Sequence, residues 1–301
     1  MLIKKFHYHL LLIIFFMAIL GFFGFAQTPS FYLNKSCTTL IIGKEASADG
    51  STMATHTADC GYCDSRLAYV PAEDHEPGEK RNIYPFTLLY PRYVGDDRGM
   101  CYACRPEQEA TEPIGQIPEV EHTYAYFDGI YGIINEHQLA IGECTCSSKT
   151  YAHPRPEGPA LFDVAALSRV AMERCKTARE ACQLMGNLAV EHGYYGWGET
   201  FTVIDPEEAW VWMIVPTPGD PPGQSAIWVA QRVPDDEVAV IANEFTIREI
   251  DLDNPDYFMA SENIFTVAKE LGWWDPDEEP FDFTKVYSTG EYAHPYYSLR
   301  R

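Results

Sequence analysis

Two short runs of β-branched and apolar residues, TTLII (38–42) and STMATHT (51–57), flank a polar segment that contains Asp49-Gly50. Asp-Gly between such runs predicts a β-hairpin. Two further batches of strands follow. TYAYF (123–127), IYGII (130–134) and LAIGE (139–143) predict a meander. FTVID (201–205), AWVWMIV (209–215), AIWVAQRV (226–233) and EVAVIAN (237–243) predict a second, with Asp205-Pro206-Glu207-Glu208 as one of its turns. Between the batches the period changes. From Leu161 to His192 apolar residues recur at helical spacing, as Val164, Leu167, Ala171 and Cys175, then Ala181, Leu184, Met185 and Leu188. Thr177-Ala-Arg-Glu180 has the order of a capping box and predicts two helices in this stretch. A third helix is predicted over about 255–271, with Pro255 in its first turn and Gly272 after its end. Residues 71–122, rich in Pro, Gly and charge, read as a long surface excursion. Strands, a helix pair, more strands and a helix make a layered α+β domain, sheet packed on sheet with helices outside.

The first 26 residues have a different pattern. Lys4 and Lys5 precede an apolar run from Leu10 to Phe25, and Gly24-Phe25-Ala26 offers small residues where a signal peptidase cuts. The run is shorter than the roughly 20 residues that span a bilayer, and no basic cluster follows it. Residues 1–26 therefore read as a signal peptide, 27–36 as a short propeptide and 37–301 as the working domain. The chain is expected to be exported, to the periplasm or the extracellular space, with no stable membrane span after processing.

Composition adds two constraints. At 46% hydrophobic and 14% aromatic, the chain has enough apolar material for a packed core. Acids dominate: beyond residue 36, 44 Asp and Glu face 19 Lys and Arg. Such a surface repels nucleic acid and anionic lipid, so neither is expected as a partner. Homo-oligomer formation is left open.

Nine cysteines need partners or roles. Cys60-x-x-Cys63 and Cys101-x-x-Cys104 have the spacing of a four-thiolate zinc site, and Cys144-x-Cys146 adds two more sulfurs. In an exported protein the same pairs read as disulfides, and the two readings stay open. Cys175 and Cys182 fall within the helical stretch, where a cysteine serves as a small core residue. An odd total leaves one over, and Cys37 is the candidate.

If the chain were cut between Ser36 and Cys37, its first residue would carry both a thiol and a free α-amine. The amine, with an ordinary pKa of about 8, can take the thiol proton near neutrality. Such a hydrolase needs no catalytic histidine and no cofactor, but it does need a group to hold the amine and donors for the developing oxyanion. Asp59 closes the predicted hairpin and can lie beside the start of its first strand. Asn243 ends the strand EVAVIAN.

These residues and four ordered segments carry a resemblance. CTTLIIGKEASADGSTMATHTAD from Cys37, YGIINEHQLAIGECTC (131–146), GETFTVIDPEEAWVWMIV (198–215) and VPDDEVAVIANEFTIREID (233–251) together resemble the C69 family of cysteine dipeptidases. That family belongs to the N-terminal nucleophile hydrolases, alongside bile-salt hydrolases and penicillin V acylases. The resemblance implies a four-layer αββα sandwich and hydrolysis of dipeptides through an acyl-enzyme. It implies Cys37 as nucleophile, Asp59 as the acid that contacts its amine and Asn243 as the amide that helps bind the reacting group. Thr145 stands where related acylases place an oxyanion-hole asparagine, an exchange that leaves the backbone amide as donor. His56, where those acylases often have arginine, and Arg248 are candidates for substrate contacts. Relatives of this kind continue past Arg301, so the chain reads as truncated at its C-terminal end. Two other readings compete: an N-acyl amide hydrolase with the same chemistry, and a non-catalytic extracellular module held by zinc or disulfides.

Overall fold

The computed structural model describes residues 37–60, 63–87, 94–95, 106–290 and the backbone of 299–300. The chain opens with β1 (Thr38–Ile42) and β2 (Met53–Thr57), the predicted hairpin, followed by the short strands β3 (Ala68–Val70), β4 (Glu73–Asp74), β5 (Lys80–Ile83), β6 (Gly115–Pro118) and β7 (His122–Thr123). Then come β8 (Tyr126–Asp128), β9 (Gly132–Asn135), β10 (Ala140–Cys146), the helices α1 (Val164–Arg174) and α2 (Ala178–His192), and β11 (Gly198–Ile204), β12 (Ala209–Pro216), β13 (Ala226–Val233) and β14 (Val238–Ile241). β15 (Phe258–Ala260), α3 (Ile264–Glu270), α4 (Phe283–Tyr287) and β16 (Leu299–Arg300) complete it. The result is a mixed α/β protein built on a large antiparallel sheet.

Among the described residues that sheet has eight strands in the order β15-β13-β12-β11-β10-β9-β8-β3. Its middle strands are apolar almost throughout because both faces are covered. Alternation then sorts side chains between two cores. Trp210, Trp212, Ile214, Trp228 and Ala230 face α1 and α2, together with Leu167, Val170, Ala181 and Met185. Val211, Met213, Val215, Ile227 and Val229 face the opposite way, toward Ile41, Ala239 and Ile241 of the second sheet and toward α3 and α4. The second sheet has, among the described residues, four strands ordered β16-β14-β1-β2, all antiparallel.

The helix pair forms as its sequence predicts. Asp163 caps α1, accepting from the Ala166 amide at 2.8 Å, and Thr177 and Glu180 complete a capping box on α2. Asp205, in the β11–β12 turn, accepts from the Ala178 amide at 2.7 Å and so ties the start of α2 to the sheet.

Three expectations need correction. The helix expected over 255–271 is confined to Ile264–Glu270, because Phe258–Ala260 pairs with Val229–Gln231 as a strand and covers the exposed edge of β13. Backbone pairing at a sheet edge overrides a marginal helical pattern. The excursion over 71–122 is not all surface: Ile83 and Ile117, paired strand residues, are buried in the helix-side core. The strand expected over 123–127 is broken, since the Tyr124 amide bonds the Glu173 carbonyl and the Ala125 amide bonds Glu136.

Helix α2 comes closest to the sheet at Gly186, where a Cβ would overlap the Trp228 indole. Gly186→Val should therefore lower stability by about 1–3 kcal/mol through overpacking. Urea unfolding followed by tryptophan fluorescence measures this, and an unchanged midpoint would contradict the close approach.

Candidate active site

Cys37 stands one residue before β1, the inner strand flanked by β14 and β2. The registers place its neighbours. Thr39 pairs with Ile241, so Asn243 continues β14 to the level of Cys37 on one side. Thr38 pairs with Thr57, so Ala58 and Asp59 reach it on the other. The Asp59 backbone N–H donates toward the Cys37 sulfur. Its carboxylate is exposed at the rim of the site.

The floor of the site is β10, from the other sheet. Asn243 has a left-handed backbone, φ 58°, a conformation asparagine tolerates better than most residues. This turn directs its backbone N–H to Cys144 Sγ at 2.7 Å and its side-chain Nδ2 to the Thr145 carbonyl at 2.7 Å. The Cys144 thiol in turn donates weakly to the Cys37 carbonyl at 3.5 Å. Close approach of the sheets depends on Gly142, where a Cβ would lie 2.7 Å from Thr202 Oγ1 and 2.9 Å from His56 Cβ. Beside it, Thr39 and Thr202 share a buried hydroxyl bond of 2.8 Å across the sheets.

Beyond this floor lies an acidic cluster. β10 meets β9 at the pair Ala140–Ile134 and pairs with β11 along its whole length. On the stretch that runs past β9, Glu143 Oε1 is 3.2 Å from His56 Nε2. Tyr131 packs on the His56 ring, with centroids 5.7 Å apart, and its hydroxyl bonds Glu143. Glu199 lies across from Thr145 on β11 and receives a hydrogen bond from its hydroxyl.

The profile of peptidase family C69 matches residues 36–301. This chain belongs to that family. A probable dipeptidase of Latilactobacillus sakei is 27% identical over 277 residues, covering 89% of this chain and 51% of that protein. A probable dipeptidase of Salmonella dublin is 26% identical over 259 residues, with 84% and 53% covered. A dipeptidase of Bifidobacterium longum is 26% identical over 223 residues, with 73% and 39% covered. The chain thus spans about half the length of the curated relatives it matches.

Within this C69 chain the structure gathers Cys37, Asp59, Asn243, Thr145 and His56 around one point. Thr145 contributes differently from an oxyanion-hole asparagine: its carbonyl accepts from Asn243 and its hydroxyl serves Glu199. Arg248 is exposed and pairs with Asp282 at 2.7 Å. Cys60 and Cys63 form a disulfide just after Asp59, so they do not supply two thiolates to a zinc site. Cys101 and Cys104 lie outside the described residues. Cys144, Cys146, Cys175 and Cys182 are buried free thiols.

Sequence reasoning missed Glu143, Glu199 and Tyr131. The signal was present: Glu143 and Glu199 are acids inside strands whose other residues are nearly all buried, a placement that needs a reason.

Burial pushes the Cys37 thiol up to about 12, and the charge of Glu143 adds to this. Burial also raises Glu199 well above its ordinary value, with the charge of Glu143 the next cause. In the full-length chain, alkylation of Cys37 by iodoacetamide should still be rising at pH 10. At pH 8 it should run about 100-fold or more slower than in the urea-unfolded chain. Peptide mass mapping reads both, and a plateau near pH 9 would contradict the burial effect.

Proposed function

We propose that this chain is the catalytic part of an exported cysteine dipeptidase that works from an N-terminal Cys37 in a four-layer αββα fold of the N-terminal nucleophile type. The observation that carries the reading is the position of Cys37 at the head of an inner strand, with Asn243 and Asp59 brought level on either side. Membership of family C69 and relatives named dipeptidases support the substrate class. The leader, with Lys4 and Lys5 before an apolar run, supports export. No helix of the described residues is long and apolar enough to cross a membrane.

The mechanism follows from the electrostatics. While Cys37 is joined to Ser36 its nitrogen is an amide, and burial among acids keeps its thiol protonated. Breaking that bond frees an amine at the one place where a base is lacking. The amine takes the thiol proton and becomes an ammonium, whose charge stabilises the adjacent thiolate. The sulfur attacks the scissile carbonyl, and Asn243 stands within reach to donate from Nδ2, whose second proton is not committed to Thr145. As the amide C–N bond breaks, the ammonium gives its proton to the leaving amine. A water then loses a proton to the Cys37 amine and opens the thioester, and the thiol is restored.

Two measurements test this together. N-terminal sequencing of the active protein should begin at Cys37. Cys37→Ser should lower dipeptide hydrolysis by about 10³-fold or more while stability stays within about 1 kcal/mol. An active chain that begins at Gln27, or a serine variant with full activity, would overturn the mechanism.

A further inference from the structure

In a dipeptide the α-ammonium sits one carbon from the scissile carbonyl. A site that recognises it must therefore present acceptors close to the nucleophile. Glu143, whose charge acts on the Cys37 thiol, meets that requirement with Glu199 bonded to it. They project from one face of neighbouring strands, Glu199 opposite Thr145 and Glu143 two residues earlier. They are 1% and 5% exposed, and a hydrogen bond joins their two carboxyl groups. Asn243 Oδ1 is buried without a hydrogen-bond partner, on the side chain whose Nδ2 bonds the Thr145 carbonyl.

The carboxyl pair carries negative charge, and Asn243 Oδ1 is an acceptor without a partner. An unsatisfied buried acceptor is destabilising by about 1–3 kcal/mol, so such atoms beside a nucleophile call for a donor that comes with the substrate. A substrate carboxylate would be repelled there, and an acyl chain would leave the oxygens unpaired. A primary ammonium brings one positive charge and three N–H groups.

We propose that Glu143 and Glu199 bind the α-ammonium of the substrate's N-terminal residue and so restrict the enzyme to peptides with a free amino end. This rests on the dipeptidase reading above. His56 and Tyr131 hold Glu143 in place from its other side, through the 3.2 Å contact to Oε1 and the tyrosine hydroxyl. A hydrogen bond between two carboxyl groups takes one proton, which leaves the pair a single negative charge to match one ammonium.

The experiment compares alanyl-alanine with N-acetyl-alanyl-alanine on the processed wild-type protein and on Glu143→Gln. Wild type should favour the free amine by about 100-fold or more in kcat/KM. Glu143→Gln should shrink that ratio to about 10-fold or less, chiefly by raising KM for alanyl-alanine. Equal turnover of the two peptides by wild type would overturn the ammonium site and leave the dipeptidase reading intact. A variant that loses both activities in parallel would also overturn it, by reducing Glu143 to a structural role. A protein beginning at Cys37 that hydrolyses neither peptide would overturn the dipeptidase reading, and the inference with it.

Discussion

Asn243 bridges the two sheets with two bonds of 2.7 Å, one from its backbone to Cys144 and one from its side chain to the Thr145 carbonyl. β14 belongs to the small sheet and β10 to the large one, so this residue fixes their relative height where Cys37 lies. The bridge is made possible by a left-handed backbone at Asn243 and by the absence of a side chain at Gly142. Each bond contributes about 1 kcal/mol net, but the first is buried and the second partly so, and losing either would strand a polar group at larger cost. Position, rather than energy, is what the bridge supplies. Cys37 and Asp59 lie with the small sheet and the acids of β10 and β11 with the large one, and the bridge, together with the Thr39–Thr202 bond beside it, holds them in relation.

The same burial governs the chemistry. A thiol enclosed with acids is a poor nucleophile, since every nearby charge opposes the thiolate. Within the proposed mechanism this is useful, because reactivity waits for a positive partner. The freed amine is that partner on the enzyme's side, and an ammonium on the substrate would be its counterpart beside Glu143. The acidity of the site and the silence of the uncleaved cysteine then have one physical origin.

How much of this was legible in the sequence depended on the kind of signal. β12 and β13 were readable almost to the residue, because strands covered on both faces must be apolar throughout. The places of Asp59 and Asn243 were readable because hairpin register and strand ends are short-range features. The segment 255–271 was misread: its strand exists only because β13 has an open edge, a fact of tertiary structure. Arg248 was equally ambiguous, since nothing nearby in the chain announces Asp282 as its partner. Glu143 and Glu199 are 56 positions apart. Their meeting depends on the register of β10 against β11, which no local pattern encodes.

The central claim is that the thiol of Cys37, at the head of a processed chain, carries the acyl group during turnover. Acid quenching during steady-state hydrolysis of a dipeptide ester, followed by intact-mass and peptide analysis, tests it most directly. The account predicts a chain that begins at Cys37 and carries one aminoacyl adduct on that residue, removed by hydroxylamine. Steady turnover by a chain that retains residues before Cys37, or an adduct on a different residue, would contradict it.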